Sequence, residues 1–375
     1  MMDLSELRRE IDAVDEQLCA LLDRRSQLSE QVAIYKEANG LPVLNASREQ
    51  EVMEKAAARC NPDNAGTARV MLATIMDASR ALQHRRLQSG KALRDQLACA
   101  KTTLLSSPRV ICQGCAGAYS HQAATTLFPA GTPAFVQTFE QVFAAVENGE
   151  ADYGVLPIEN SFGGSVQDVY DLLIKHKFSI VAAVELPVEH CLVGCKGATL
   201  SSVKTAYSKE QALEQCAVFL EQHGLLPHPF ANTALAAKMV AESGDPTVAA
   251  VASKQAAQLY GLQVLAEDIQ TGDHNVTRFI AIARDLVITP DANRVSVMFT
   301  QPHTAGALYR MLGQFFRVGM NLTKIESRPL HRENFEYVFY LDFESTPHAP
   351  ETRELLCALA EETELFTLLG GYKES

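Results

Sequence analysis

The sequence predicts three domains: an all-α domain of three helices, a two-lobed α/β domain, and a domain whose elements follow the order βαββαβ. Apolar residues in the first hundred positions recur every three or four residues, which is typical of long helices. From Pro108 onward, short runs rich in β-branched residues alternate with helical stretches. After "VITPDANR" the pattern changes to the ferredoxin-like order βαββαβ. We place the domains at residues 1–100, 108–286 and 291–375.

Charge and cysteine content limit the classes of function. A net charge of −12 disfavours a nucleic acid or an anionic membrane surface as the main partner. The N-terminus "MMDLSELRRE" is polar and no run is apolar enough to span a bilayer, so we expect a cytoplasmic protein. Nine cysteines, an odd number, fit reduced thiols. The pairs Cys112/Cys115 and Cys191/Cys195 leave a zinc site as an alternative, but each lies beside a predicted strand end and we expect no metal.

The all-α domain begins with one long predicted helix over residues 3–38, which "ANGLP" ends. A second helix begins near Asn45, where either Asn45 or a capping box formed by Ser47 and Gln50 caps it. A third runs from about Thr67 towards Ala98. The first helix would be about 50 Å long, and three helices of one chain cannot form a compact monomer that buries an apolar seam of this length. We therefore expect a helical dimer. The seam consists of Leu4, Leu7, Ile11, Val14, Leu18, Leu21, Leu28, Val32 and Tyr35.

Arg25 interrupts this seam between Leu21 and Leu28. Lys36 follows eleven residues later, about 16 Å along the axis and on the same face, so both side chains can reach one ligand. Arg8 lies about 25 Å before Arg25 and can reach that ligand only from the partner chain of an antiparallel dimer. A buried pocket with several fixed cations and few carboxylates suits a small dianion. Arg8 and a further cation, Arg48, are individually also compatible with solvated surface positions.

The stretches "LRREIDAVDEQLCALLDRRSQLSEQVAIYK" and "SRE", with Ser79 and Gln83, resemble the all-α chorismate mutases. The resemblance implies a dimer that converts chorismate to prephenate by a Claisen-type rearrangement, in which Lys36 and Gln83 donate to the ether oxygen. Such a reaction requires the substrate to be held in a folded conformation and needs no nucleophile or cofactor. Asn45 stands where this family often has aspartate. This replacement affects the contact that the position makes to the substrate hydroxyl. The matching substrate-binding positions are Arg8 from the partner chain, Arg25, Lys36, Arg48, Glu49, Ser79 and Gln83.

Three polar stretches follow predicted strands of the α/β domain: "GCAGAYSHQAA" (114–124), "PIENSFGG" (157–164) and "DHNVTRFIAIA" (273–283). Strand ends are where open α/β sheets bind ligands, although each stretch alone also reads as a structural turn. The first stretch is not G-x-G-x-x-G, so a dinucleotide site is disfavoured. His190 in "EHC" reads as an acid or base, or more simply as a structural histidine at a strand end.

Together these stretches resemble prephenate dehydratase over residues 108–285. The resemblance implies a periplasmic-binding-protein-like fold, with a cleft in which prephenate loses its ring carboxylate and hydroxyl to give phenylpyruvate without a cofactor. It gives Thr277 the role of proton donor to the leaving hydroxyl, and Arg278 that of a carboxylate partner. Ala118 and Cys115 depart from the residues common in the family at the first turn. The positions that match the cleft lining are Glu159, Asn160, Ser161, Ser208, Gln215, Thr277 and Arg278.

In the last domain, "GALYRML" (306–312) and "KIESRP" (324–329) resemble the ACT domain that follows prephenate dehydratases. The resemblance implies that phenylalanine binds at a dimer interface and inhibits the enzyme. Small residues at a helix start let an amino-acid carboxylate meet free N–H groups. A purely structural ferredoxin-like domain is the alternative. The predicted effector residues are Gly306, Ala307, Leu308, Asn321, Glu326, Ser327, Arg328 and Pro329.

The order of the three domains resembles that of the bifunctional chorismate mutase–prephenate dehydratases. The expected partners are chorismate, prephenate, phenylalanine as effector and a second copy of the chain or a larger assembly, with no cofactor, nucleic acid or membrane. One alternative is the same layout with an inactive mutase domain. Another is a transcriptional regulator, which would require a basic helix-turn-helix that neither "ANGLPVLNAS" nor the acidic composition provides.

Overall fold

The computed structural model describes residues 3–272, 275–329 and 337–375. The chain folds into two compact units. The first unit combines Met1–Ala100 with Arg294–Leu368, and the second combines Lys101–Asn293 with Leu369–Ser375. Within the described ranges, no helix is both long and apolar enough to cross a membrane.

The N-terminal part of the first unit is helical, as predicted. Its elements are α1 (Leu4–Ala38), α2 (Ala46–Arg59), a 3₁₀ turn (Pro62–Asn64), α3 (Ala65–Arg86) and α4 (Lys91–Ala98). Asp3 and Glu6 form a capping box at the start of α1. The Asn45 side chain caps α2 by accepting from the Arg48 N–H at 3.0 Å. The Ser47 hydroxyl donates to the same Asn45 oxygen, so the alternative capping box of Ser47 and Gln50 is wrong.

The prediction of a single third helix running to Ala98 is wrong, because the backbone reverses between α3 and α4. Gln88 and Gly90 both adopt positive φ angles, 50° and 75°. Gly90 is also required by close packing: a Cβ at this position would lie 2.6 Å from the Cys357 Cβ. The domain therefore has four helices rather than three.

The seam of α1 lies on the surface of the single chain. All nine of its apolar residues are at least 45 % exposed, whereas the buried residues of the helix are Ser29 and Ala33. A row of large apolar side chains this long is unusual on the surface of a monomer and is typical of an interface.

The C-terminal part of the first unit follows the predicted βαββαβ order. Its strands lie in the order β13-β14-β12-β15, and β14 pairs antiparallel with both β12 and β13. This is the ferredoxin-like strand order. Helices α12 and α13 pack against α3 of the N-terminal part. The elements are β12 (Arg294–Gln301), α12 (Ala307–Arg317), β13 (Leu322–Pro329), β14 (Tyr337–Glu344), α13 (Pro350–Glu362) and β15 (Phe366–Glu374).

The second unit contains two sheets, as expected for a two-lobed α/β fold. One sheet has the order β5-β11-β3-β1-β2, with β4 beside β3 and with Lys373 and Glu374 paired to β5. The other has the order β10-β6-β9-β7-β8. The first lobe contains β1 (Arg109–Gln113), α5 (Tyr119–Leu127), β2 (Thr132–Val136), α6 (Phe139–Glu147), β3 (Tyr153–Asn160), β4 (Gly164–Ser165), α7 (Gln167–His176), β5 (Ser179–Pro187) and β11 (Val276–Ala283). The second contains β6 (Cys191–Gly194), β7 (Thr205–Ser208), α8 (Glu210–Gln215), α9 (Ala217–Gln222), β8 (Leu226–Pro229), α10 (Thr233–Ser243), β9 (Val248–Ala252), α11 (Lys254–Tyr260) and β10 (Gln263–Ala266).

Candidate active sites

A cavity of about 290 Å³ lies between α1, α2 and α3. It brings together every residue predicted for the chorismate site except Arg8, which is exposed on α1 and does not line it. Its lining consists of Arg25, Leu28, Ser29, Val32, Lys36, Val43, Asn45, Arg48, Glu49, Val52, Met76, Ser79, Arg80 and Gln83.

Arg25 and Lys36 bring positive charge into this cavity. Arg25 Nη1 donates to Ser79 Oγ at 2.6 Å, and the Lys36 ammonium donates to the Val43 carbonyl. Burial lowers the pKa of both cations, while the negative charge of Glu49 acts in the opposite direction. Cations that are partly desolvated in this way gain from an anionic ligand, so the cavity is suited to carboxylates.

Gln83 has unused hydrogen-bonding capacity in the cavity wall. Its Nε2 donates to Ser29 Oγ at 3.2 Å, and its Oε1 is buried without a hydrogen-bond partner in the described structure. A buried amide atom without a partner marks a place where a ligand or water completes the hydrogen bonding. Because the two ends of the amide have nearly the same shape, Gln83 can present either a donor or an acceptor there.

Arg80 is a residue of this site that the sequence prediction missed. It is only 5 % exposed and faces three carboxylates, Glu49, Asp77 and Glu362. Burial lowers the pKa of Arg80, but the three carboxylates more than compensate and raise it above the ordinary arginine value. The sequence contains one sign of this role, because Asp77 lies three residues before Arg80 and can pair with it on the same helix. The other two partners, Glu49 and Glu362, lie far from Arg80 in the sequence.

In the second unit, a polar centre forms where β3 ends and β11 begins. Asn160 lies opposite Thr277 in the strand register, and its Nδ2 donates to Thr277 Oγ1 at 2.9 Å. The Asn160 Oδ1 accepts the backbone N–H groups of Phe162 and Gly163, which fixes the turn after β3. The side chains that the two motifs "PIEN" and "TRF" contribute therefore meet in space.

This centre extends through Asn275 to the other lobe. Asn275 Oδ1 accepts from Asn160 at 2.8 Å, and Asn275 Nδ2 donates to Gln215 Oε1 at 3.2 Å. His190 Nε2 lies 2.9 Å from the same Gln215 oxygen. The predicted residues Asn160, Gln215 and Thr277 thus share one network with His190 and with Asn275, which the prediction did not single out. Asp273 and His274 of the same motif lie outside the described residues.

Buried His190 occupies the far end of the network. It is 2 % exposed, and its Nδ1 has no partner among the described residues. Burial lowers the pKa of His190, although the hydrogen bond with Gln215 partly opposes this effect. A neutral ring with Nε2–H directed at Gln215 satisfies this geometry.

The remaining predicted dehydratase residues make contacts within the protein. Ser161 Oγ accepts from the Val276 N–H at 3.0 Å, and the fully buried Ser208 donates to the Val251 carbonyl at 2.6 Å. Glu159 lies opposite Arg278 in the strand register. The Arg278 guanidinium is paired with Glu374 and donates to Tyr372 Oη at 2.9 Å. Its carboxylate partner in the structure is therefore a side chain of the protein, whereas the prediction gave it a carboxylate of the substrate.

The first glycine-containing turn joins β1 to α5. Gly114 and Gly117 have positive φ angles, and α5 begins after Ala118 without a side-chain cap. Cys115 Sγ lies 3.8 Å from Asn232 Oδ1. All nine cysteines are free thiols, and the described residues contain no group of three or more His, Cys, Asp or Glu side chains that could hold a metal ion.

The predicted effector residues lie on two elements of the βαββαβ region. Gly306 precedes α12 with a φ angle of 83°, and Ala307 and Leu308 begin that helix. Asn321 donates to Glu344 at 3.1 Å. Residues Glu326–Pro329 form the end of β13, where Glu326 and Arg328 are half-buried and Ser327 and Pro329 are exposed. Residues 330–336, between β13 and β14, lie outside the described residues.

A second cavity, of about 780 Å³, lies between α2, α3 and the start of α12. It is lined by Gly306 and Ala307 and also by Glu49 and Arg80, which line the smaller cavity as well. These two cavities therefore share part of one wall.

Comparisons with known proteins match the two regions of the chain that contain these candidate sites. A family model described as chorismate mutase type II matches residues 7–84, and one described as prephenate dehydratase matches residues 110–286. The arogenate dehydratase/prephenate dehydratase 1 of Arabidopsis thaliana is 40% identical over 71% of this chain and 72% of its own. A solved prephenate dehydratase from Arthrobacter aurescens in complex with L-Phe is 29% identical, with a TM-score of 0.64 over 70% of this chain and 89% of its own.

One relative spans both regions. The bifunctional chorismate mutase/prephenate dehydratase of Aquifex aeolicus is 32% identical, covering 100% of this chain and 99% of its own. The predicted resemblance is confirmed. With a mutase region, a dehydratase region and this match along its whole length, the chain belongs to the family of bifunctional chorismate mutase/prephenate dehydratases.

Proposed function

We propose that this protein rearranges chorismate to prephenate in the cavity of the first unit and dehydrates prephenate to phenylpyruvate at the Thr277 centre of the second. The observation that carries the proposal is the gathering of Arg25, Lys36, Ser79 and Gln83 around one small cavity. The corresponding domains are residues 1–100 and 108–286. The family membership supports both activities and their place in phenylalanine biosynthesis.

In the mutase step, the side chains hold the substrate and perform no covalent chemistry. Arg25 and Arg48 bind the two carboxylates and thereby hold the flexible molecule in a folded conformation. Lys36 and Gln83 donate to the ether oxygen, where negative charge develops as the C–O bond breaks. Glu49 binds the substrate hydroxyl, and Asn45 lies where it can contribute an amide in place of the family's aspartate.

In the dehydratase step, one bond to the ring carboxylate and one bond to the hydroxyl break together. The electron pair of the C–CO₂ bond enters the ring as CO₂ leaves, and the hydroxyl departs as water with a proton from Thr277, which regains a proton from solvent. The hydrogen bond that Asn160 Nδ2 donates to Thr277 Oγ1 supports this role. It uses a lone pair of the hydroxyl oxygen, so the O–H can point at the substrate. It also stabilises the negative charge that develops on this oxygen as the proton leaves. We place Glu159, Ser161 and Gln215 around the same substrate. The predicted residues Ser208, which is fully buried and bonded to Val251, and Arg278, which is paired with Glu374, are given no substrate contact in this proposal.

The same proposal makes residues 291–375 an ACT domain that binds phenylalanine. The ferredoxin-like strand order and the L-Phe complex of a related dehydratase support it. Phenylalanine binds between the start of α12, at Gly306, Ala307 and Leu308, and the segment Glu326–Pro329, with Asn321 nearby. Binding lowers flux through the dehydratase.

We also propose that two chains associate through the α1 seam, whose apolar residues are exposed in the single chain. In an antiparallel pairing, Arg8 of one chain completes the cavity of the other. We retain the prediction of a cytoplasmic protein without a cofactor, which rests on the sequence.

The direct test is to incubate the purified full-length protein with chorismate, with and without phenylalanine, and to follow prephenate and phenylpyruvate. We expect both products, and less phenylpyruvate when phenylalanine is present. Phenylpyruvate formed from added prephenate but not from chorismate would show that the mutase cavity is inactive. Preference for arogenate over prephenate would change the substrate of the second site and leave its chemistry intact.

A further inference from the structure

Five charged side chains form a cluster beside the mutase cavity, in which four are largely buried and the Arg310 side chain is 30 % exposed. Glu49, Asp77 and Arg80 come from α2 and α3, whereas Arg310 and Glu362 come from α12 and α13. Arg80 binds one carboxylate through each of its three nitrogens, and Arg310 binds Glu49 and Asp77. The βαββαβ region therefore supplies charges directly to residues of the mutase half of this unit.

Glu49 and Arg80 are the members of the cluster that line the mutase cavity, and both oxygens of Glu49 accept hydrogen bonds. Oε1 accepts from Arg80 Nη1, and Oε2 accepts from Arg310 Nη2 at 2.8 Å. Two donors on the two oxygens fix the plane of a carboxylate and leave its remaining lone pairs in a defined direction. Arg310 therefore helps to fix the orientation of a carboxylate in the substrate pocket and places a positive charge beside it.

Charge balance makes this contact important for a dianionic substrate. Within the cluster three carboxylates are paired with two guanidinium groups, and Arg317 adds positive charge near Asp77 and Glu362. Loss of Arg310 would remove the second guanidinium that neutralises Glu49 and make the surroundings of the pocket more negative by one charge. His84 Nε2 also faces Glu362, at 3.2 Å. A partly buried charge near the pocket is poorly screened and repels a molecule that carries two carboxylates.

We propose that Arg310 is a positioning residue for the mutase reaction, which neutralises and orients Glu49 so that the cavity accepts chorismate. The proposal rests on the mutase function proposed above. Arg310 lies outside residues 7–84, the range that the chorismate mutase family model matches, so this chain completes its mutase site with a residue from its C-terminal region. Arg80 transmits the same constraint from Glu362 to the other Glu49 oxygen.

The test uses full-length Arg310→Met and Arg310→Lys with chorismate kinetics. We expect Arg310→Met to raise the KM for chorismate roughly tenfold to a hundredfold with little change in kcat, because the added repulsion acts on binding of the dianion. Arg310→Lys keeps the charge and should stay within about threefold of the parent KM. In a Glu49→Gln background, Arg310→Met should raise KM by about threefold or less, because the charge it neutralises is already gone.

Arg94→Met is the matched control. It removes the 2.7 Å ion pair between Arg94 of α4 and Glu354 of α13. Like the contacts of Arg310, this ion pair joins the two halves of the unit, but neither of its residues lines the mutase cavity. Its KM for chorismate should equal that of the parent. Dehydratase turnover of added prephenate reports that each variant is folded.

An unchanged KM in folded Arg310→Met would overturn the proposal, as would an equal rise in the Glu49→Gln background or in Arg94→Met. Absence of mutase activity in the parent protein would instead refute the proposed mutase function, so the two failures are distinguishable.

Discussion

Replacing Glu362 by Gln should destabilise the first unit at neutral pH and remove part of its acid sensitivity. Burial raises the pKa of the Glu362 carboxyl, but hydrogen bonds and positive charge from His84 and Arg80 outweigh burial and hold it at about 2, against an ordinary 4.5. At about 1.4 kcal/mol for each tenfold change in proton affinity, this corresponds to about 3 kcal/mol of stability. Glutamine keeps the shape of the side chain and loses that contribution.

The sign of the pH dependence follows from the lowered pKa. The folded protein holds Glu362 ionised, so its contribution is complete above pH 4.5, where the unfolded carboxyl is ionised as well. As the pH falls from 4.5 towards 2, the unfolded state takes up a proton that the folded state does not, and the contribution disappears. The parent should therefore lose stability relative to Glu362→Gln across this window.

Hydrogen exchange measured by mass spectrometry resolves this effect in a protein with two units, because peptides from α3 and α13 report local opening. At pH 7 the opening free energy of these peptides should be about 2 to 3 kcal/mol lower in Glu362→Gln than in the parent, and the gap should close by about pH 2. Peptides from the second unit serve as the internal control. A gap that stays constant from pH 7 to pH 2, or no gap at pH 7, would refute the reasoning.

Three further predictions concern the proposed sites. Arg25→Ala should lower mutase kcat/KM by roughly 10² to 10³, because it removes a cation that binds a substrate carboxylate, and it should leave dehydratase turnover intact. Full chorismate turnover in this variant would disprove the role of Arg25. Thr277→Ala should lower dehydratase kcat by about 10² or more while Thr277→Ser, which keeps the hydroxyl, retains part of it; equal rates for the two variants would remove the proton-donor role. Replacing Glu326–Pro329 with alanines should abolish phenylalanine binding by calorimetry, and unchanged binding would exclude that segment from the effector site.

The sequence was sufficient to predict the features that depend on local periodicity. The spacing of apolar residues gave α1 within one residue at its start, and helical geometry placed Arg25 and Lys36 on one face, as observed in the cavity lining. The excess distance between Arg25 and Arg8 agrees with the absence of Arg8 from that lining. Motif order likewise located Asn160 and Thr277, which strand pairing then brings together.

Features set by tertiary contacts were not predictable. The break between α3 and α4 depends on Gly90 lying against Cys357, and nothing local to "LQSG" reveals that neighbour. Arg80 resembled one more polar residue of a helix face, because the carboxylates that bury it come from α2 and α13. Asn275 was passed over because its bonds to Asn160 and Gln215 join residues far apart in the chain.

The pairing of Arg80 with Glu362 spans 282 residues, and this separation has a consequence for synthesis. At roughly 5 to 20 residues per second, Glu362 leaves the ribosome about 15 to 55 seconds after Arg80. During that interval the whole stretch Lys101–Asn293 emerges and can fold. Until Arg310 is synthesised, Glu49 and Asp77 lack one of their guanidinium partners. The helices that are made first are therefore among the last to complete their ion pairs. The stretch Leu369–Ser375 belongs to the second unit and holds Tyr372 and Glu374 against Arg278, and it emerges later still. Both units are therefore completed only at the end of synthesis.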